Sequence, residues 1–312
     1  MERQGRPYSS AQDLQTMVDL LIAVRSPDRI TDYPSIVDLQ EALALPRVQD
    51  QTRLWFAADK LVGFAFVDPY NNLSFEFDPQ SAFPSTASEI IEWGMSCVLR
   101  VMQDCGGSST LNTGCRGDDG ERIALLKRHG FVEQEMRTLH LVRSLDEPLP
   151  EPHLPPGFHI RHVAGEHEVE ALVALHRAAF ATKKMTVALR LAMMRVPEYD
   201  SGLDLLVVAP DGRLAATCMC SISQEENART GRKEGYTDPI ATHPDFQRRG
   251  LARALLRTGF QKLRQRGMNT AVLHTSSKNV AMQQAAQAVG YRVGWTKLWF
   301  AKPVMQPTSP YP

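Results

Sequence analysis

The stretch DEPLPEPHLPPGF, residues 146–158, constrains this chain more than any other feature. Its five prolines, Pro148, Pro150, Pro152, Pro155 and Pro156, lack the N–H that a helix or inner strand needs, so the segment reads as a stiff, extended connector. It divides 312 residues almost equally. The expected organisation is two domains, 1–147 and 158–303, with a Pro-rich linker at 148–157 and a tail at 304–312. Each half is long enough to bury a core of its own.

The halves read as weak copies of each other. SAQDLQTMVDLLIAV (10–24) and GEHEVEALVALHRAAF (165–180) both place apolar residues at helical spacing. Each is followed by a hairpin pattern, RLWFAADKLVGFAFV (53–67) and LDLLVVAPDGRLAATCMCSI (203–222), the second turning at Asp211-Gly212. Later, ALLKRHGFVEQ (124–134) and QAAQAVGYRVG (284–294) each end a helix in Gly plus an aromatic residue. The landmark pairs Leu61/Leu214 and Gly130/Gly290 lie 153 and 160 residues apart, as a duplication with small insertions requires. Each half therefore predicts an α/β (α+β) unit, a twisted, mostly antiparallel mixed sheet flanked by helices.

Composition excludes several classes. Lys plus Arg and Asp plus Glu both number 35, so the net charge is zero, without the basic excess that duplex nucleic acid demands. No stretch approaches the roughly 20 apolar residues of a membrane span, and none has signal-peptide form, so the expectation is a cytoplasmic protein with neither nucleic-acid nor membrane partners. Five cysteines (Cys97, Cys105, Cys115, Cys218, Cys220) are an odd, scattered set that reads as core packing; no metal-ligand spacing recurs, and no metal is expected.

One local pattern points to chemistry. EGYTDPIATHP (234–244) reads as a strand ended by His243-Pro244, and Gly250 follows Gln247-Arg248-Arg249 at the start of a helix. That helix aligns Leu251, Leu255, Leu256, Phe260 and Leu263 on one face, with Arg253, Arg257, Lys262 and Arg264 opposite. A helix start offers unpaired N–H groups and the positive end of the dipole, and glycine allows a phosphate to approach. The spacing is neither a P-loop nor a dinucleotide fingerprint, and an ordinary surface turn remains the alternative.

Gln247 to Ala252 matches the Q/R-x-x-G-x-G/A signature of the GCN5-related N-acetyltransferases (GNAT), and IATHP (240–244) resembles that family's V/I-x-V-x-P lead-in. LHTSSKNVAMQQAAQAVGYR (273–292) is similar to its L-x-V-x-x-x-N…GF segment, with Asn279 and Gly290-Tyr291 at matching spacing. The resemblance covers residues 203–302. The first half's counterpart, FDPQSAFPSTASEIIEW (77–93), has no Gly before its helix and no arginine pair, so the layout resembles tandem GNAT proteins with one degenerate copy. The resemblance implies acetyl-CoA as cosubstrate. It implies that Ile240, Ala241 and Thr242 pair with the pantetheine arm, that Gln247, Arg248, Arg249, Gly250, Leu251, Ala252 and Arg253 cradle the pyrophosphate, and that Asn279 bonds the cofactor.

Acetyl transfer to an amine needs a base for the ammonium proton. By strand periodicity Glu234, Tyr236 and Asp238 share one face and are candidate catalytic groups, and His274 is another. The tyrosine that commonly serves the family as acid is here Ala286, so either Tyr236 substitutes or the thiolate leaves unaided, its thiol pKa being about 8.5. The leading expectation is an N-acetyltransferase acting on a small-molecule amine or a peptide amino terminus. Its rivals are an acetyl-CoA-binding pseudoenzyme that docks a partner and a structural duplicate without cofactor; a homodimer is compatible with either. The acceptor side is expected at TKKMTVALRLAMMRVPEYD (182–200), where Met185, Met193 and Met194 line a pocket or pack a core, and at the charged loop SQEENARTGRKEG (223–235).

Overall fold

The computed structural model describes residues 3–82, 85–105, 109–196 and 198–305. It divides into two compact units: residues 1–137 together with 297–312, and residues 138–296. None of the described helices is long and apolar enough to cross a membrane.

In chain order the elements of the first half are β1 (Arg3–Pro7), α1 (Ala11–Val24), α2 (Ile36–Leu43), α3 (Pro46–Asp50), β2 (Thr52–Ala57), β3 (Lys60–Val67), β4 (Leu73–Phe77), α4 (Pro79–Ala82), α5 (Ser85–Cys105), β5 (Ser109–Arg116), α6 (Gly120–Arg128) and β6 (Val132–Ser144). In the second they are β7 (His159–His162), α7 (Val169–Phe180), α8 (Val187–Met194), β8 (Asp204–Val208), β9 (Leu214–Met219), α9 (Gln224–Thr230), β10 (Glu234–Tyr236), β11 (Ile240–Thr242), α10 (Leu251–Gln265), β12 (Thr270–Ser276), α11 (Val280–Gln287) and β13 (Arg292–Val304).

In the first unit β1 to β4 form an antiparallel sheet in sequence order. β3 is buried on both faces, which explains its nearly unbroken apolar run. Phe64 and Phe66 pack with Met17, Leu21, Ile36 and Leu39 from α1 and α2, while Val62 and Ala65 pack with Ile90, Ile91 and Val98 from α5. A second antiparallel pair joins β5 to residues 297–304 of β13, sending Leu298, Phe300 and Val304 into the α5 core.

The second unit repeats the scheme. β7, β8, β9 and β11 form an antiparallel sheet in the order β11-β9-β8-β7. Leu205 and Val207 of β8 face the main core with Leu255, Leu256 and Phe260 of α10, and Leu206 faces Val163 and Leu172. β10 runs parallel to β12, and β12 runs antiparallel to residues 138–144 of β6. Leu149, Leu154 and Phe158, from the Pro-rich stretch expected to be a stiff, extended connector, pack against this unit's core. The chain changes unit within β6, at 137/138, and within β13, at 296/297.

The duplication is visible bond by bond. After α6 the amide of Phe131 reaches the carbonyl of Leu126 and that of Gly130 reaches Lys127; after α11 the amides of Tyr291 and Gly290 reach Ala286 and Gln287. Asp119 caps α6 by accepting from the Arg122 amide, as Asn279 caps α11 by accepting from Met282.

Two stretches differ from the reading of the sequence. The segment 234–244 is not one strand, since β10 and β11 belong to different sheets; Pro239 between them has no N–H to continue a ladder. The charged segment 223–235 is not an irregular loop. It folds into α9, where Ser223 accepts from the Glu226 amide, Glu225 and Glu226 sit at the positive end of the dipole, and Gly231 ends the helix at φ 69°. Met185 packs with Val169 and Val173, with Met193 and Met194 against the same cluster, so these methionines belong to the α7/α8 core.

Candidate active site

The divergence of β10 from β11 creates the site. Up to Thr237, whose amide donates to Val272, the chain follows β12; from Ile240 it follows β9. β11 is thereby an edge strand, with backbone groups on one side open to a ligand. Beyond it, His243 and Pro244 lead through a short turn whose Phe246 is buried, and the backbone then bends through two left-handed residues, Arg248 at φ 63° and Gly250 at φ 81°. The first main-chain bond of α10 runs from the Ala254 amide to the Gly250 carbonyl, so the amides just before Ala254 are the unpaired donors of the helix start. The Leu251, Leu255, Leu256, Phe260 and Leu263 face is buried, which fixes where those donors point.

A cleft of about 430 Å³ lies along this path. Ile240, Ala241, Thr242, Gln247, Arg248, Gly250, Leu251, Ala252, Arg253 and Asn279 all line it. Arg249 does not; its guanidinium lies 5.6 Å from the Phe246 ring and 5.9 Å from that of Phe158, facing a separate hollow. The far wall was not legible from the motif: Ala179 and Phe180 at the end of α7, and Ala281, Met282, Gln284 and Ala285 of α11. The alanines leave room that larger side chains would fill.

Of the four candidate catalytic residues, three come together just outside the cleft. Nδ1 of His274 lies 3.2 Å from Oδ2 of Asp238, and the Tyr236 ring stacks on the imidazole at 5.9 Å between centroids. Oδ1 of Asp238 is buried without a hydrogen-bond partner among the described residues, an exception to the rule that buried polar atoms are paired. Glu234 does not join them; its carboxylate pairs with Arg232 at 3.6 Å. Glu234 opens β10 beside Arg232, whereas Asp238 joins the cluster from beyond the strand's end at Tyr236.

Two aromatic residues complete the cluster and were missed in the sequence. His140 of β6 is the cross-strand partner of His274, with ring centroids 5.1 Å apart, and it stacks on Trp295 at 4.5 Å. Only strand pairing between segments 134 positions apart brings them together, and no local spacing signals it. Ala286 packs fully buried in the main core. Below it Tyr291, also buried, shares a 2.7 Å hydrogen bond with Thr237, and burial holds its phenol well above the ordinary range. Neither residue lines the cleft.

The family model described as acetyltransferase (GNAT) family matches residues 170–291, the stretch that builds this cleft. Residues 170–291 are a GNAT acetyltransferase domain. Two mycothiol acetyltransferases are similar along most of the chain. The one from Saccharomonospora viridis is 23% identical over 259 residues, 79% of this chain and 81% of its own length; the one from Thermobispora bispora is 26% identical over 248 residues, 78% and 80%. Among solved structures, a GCN5-related N-acetyltransferase from Sphaerobacter thermophilus matches with TM-score 0.72 at 19% identity, covering 97% of this chain and 96% of that one. A tandem GNAT protein from the clavulanic acid biosynthesis pathway matches with TM-score 0.70 at 14% identity, covering 98% and 99%. The fold is thus that of a tandem GNAT protein along the whole chain. The GNAT domain makes the protein an acyltransferase, and that family implies acetyl-CoA as cosubstrate.

Proposed function

We propose that the second unit transfers the acetyl group of acetyl-CoA to a primary amine of a small molecule or peptide amino terminus, with His274 as general base held by Asp238. The observation that carries this reading is the Asp238–His274 contact at the end of β10, beside the point where β11 turns away to line the cleft. The carboxylate on Nδ1 fixes the tautomer, leaving Nε2 as the atom that accepts the proton. The neutral amine then attacks the thioester carbonyl, the C–S bond breaks, and CoA departs as thiolate. None of the described residues lining the cleft is a Tyr, Cys, His, Asp or Glu, so no side chain there protonates the sulfur. With a thiol pKa of about 8.5 the thiolate leaves without such help. The relatives' name makes a mycothiol-type acceptor the first member of the amine panel to test.

The test is CoA thiol release against pH with that panel, for wild type and for Asp238→Asn and His274→Gln. His274→Gln should lower kcat by about 10²–10⁴-fold and abolish the acidic limb of the rate profile, the usual yield of a positioned base. Asp238→Asn should lower kcat while retaining an acidic limb, because the base itself is still present. Acetyl-CoA affinity should hold within about threefold in both, because neither residue lines the cleft. Wild-type turnover with an unchanged acidic limb in His274→Gln would remove the base assignment.

A further inference from the structure

A cavity of about 940 Å³ lies wholly within the first unit, and acetyl transfer by the second unit makes no use of it. The residues that follow α1, the ends of β4 and β5 and the first turns of α6 border it. Arginines and carboxylates line it in equal number. One set of these charges is mutually satisfied: Asp32 accepts from Arg29 and Arg116, each at 3.3 Å, and Asp118 pairs with the same two arginines at 3.0 and 3.2 Å.

The group around Glu76 is not balanced in this way. Nε of Arg25 donates to its carboxylate at 2.6 Å and Nη2 of Arg122 at 3.0 Å, so two guanidiniums share one acid and one positive charge is left over. All three side chains are largely buried, that of Arg25 being 9% exposed. Nη1 of Arg25 donates to the carbonyls of Asp32 and Pro34, but Nη2 has no acceptor among the described residues. Arg122 is in the same state. Its Nη2 also reaches the Phe75 carbonyl at 3.0 Å, and the rings of Phe75 and Phe77 lie 4.2 and 5.4 Å from its guanidinium carbon, yet Nε and Nη1 have no acceptor among the described residues. Both arginines line the cavity.

The cavity is not a copy of the second unit's cleft. Arg122 and Met282 are equivalent positions, each supplying the amide that bonds the helix cap, and Met282 lines the cleft of the second unit. In the first unit the longer, charged side chain crosses to the edge strand β4 and occupies the Phe75 carbonyl. We infer that this cavity binds a small-molecule monocarboxylate, with its carboxylate on the free edges of Arg25 and Arg122. A planar carboxylate matches the guanidinium fork, and a single negative charge neutralises the excess cation beside Glu76. A polyanion gains less, since the wall carries as many acidic as basic groups. Val24, Phe77, Pro79, Ala124 and Leu125 supply apolar surface for the body of the molecule. Binding there does not depend on acetyl transfer by the second unit.

Calorimetric titration of the full chain with benzoate and with benzamide, which has nearly the same shape and no charge, tests this. Benzoate should bind saturably, one per chain, and at least tenfold more tightly than benzamide, with saturating CoA leaving its affinity within about twofold. Arg122→Met, which copies the residue of the second unit, should weaken benzoate at least tenfold and erase its advantage over benzamide. Ala124→Trp, at an exposed helix position that lines the cavity, should weaken both probes while leaving every charge in place. It decides the matter where a melting curve shows Arg122→Met to be unfolded. Absence of saturable benzoate binding, equal affinities for the two probes, displacement of benzoate by CoA, or benzoate binding that survives these substitutions in folded protein would overturn the assignment.

Discussion

Gly250 meets two requirements at one position. Its φ of 81° is the left-handed conformation, which costs most L-residues about 1–2 kcal/mol. It also lines the cleft at the helix start, where a side chain would occupy space proposed for phosphate. A Cβ there would meet Arg253 at 3.6 Å, ordinary contact, so the folded protein has room for a small side chain and the ligand does not. Asparagine tolerates the left-handed region and separates the two effects. Gly250→Asn should keep thermal stability within a few degrees of wild type yet weaken CoA binding by at least tenfold, measured by calorimetry beside a melting curve. Undiminished affinity in the folded variant would show that glycine serves the turn alone. This residue was legible in the sequence because its constraint is local: an apolar helix pattern, a glycine at its start and a proline-ended strand all fall within about fifteen residues. His140 and Trp295 were not, because their only signal is register across strands distant in sequence.

At the scale of elements, α11 shows how a helix can keep its place and lose a function. Its side-chain cap and its Gly290-Tyr291 exit follow the same bonding pattern as α6, yet at Ala286 it turns a small, fully buried side chain to the core. A tyrosine there would displace Leu and Phe neighbours instead of reaching a reacting sulfur, since Ala286 does not line the cleft. Overpacking a dense core typically costs about 1–3 kcal/mol. Ala286→Tyr should therefore lower the urea midpoint without raising kcat; a stable variant with faster thiol release would mean that the position faces the cofactor. The element-level reading of the sequence succeeded for helices with clear apolar periodicity, α1, α7 and α10. It failed at β10/β11, because a single run of β-formers does not reveal that its two ends join different sheets, and at α9, whose ends are set by the Ser223 cap and Gly231 and not by an apolar stripe.

For the whole molecule, the exchange of strand ends has the largest consequence. The first unit contains residues 297–304, and the second contains residues 138–144, so neither unit is a continuous half of the chain. The prolines mark a change in composition, but alternating apolar residues in β6 and β13 read alike whichever sheet receives them, which is why the sequence suggested a simple cut at 148–157. A chain ending at residue 296 should lose the β5 partner strand together with the burial of Leu298, Phe300 and Val304. At about 1.5–3 kcal/mol for each fully buried large apolar side chain, that loss alone is comparable to the 5–15 kcal/mol that holds a typical domain. Hydrogen exchange on the truncated chain should show residues 109–116 and much of α5 unprotected, while α10 and β12 keep slow amides. Residues 158–303 expressed alone should fare worse at the other end, because β12 would lack the 138–144 strand and His274 would lose its edge-on contact with His140. Native-like protection of residues 270–276 and wild-type acetyl transfer by that fragment would show that the exchanged strand is dispensable to the site.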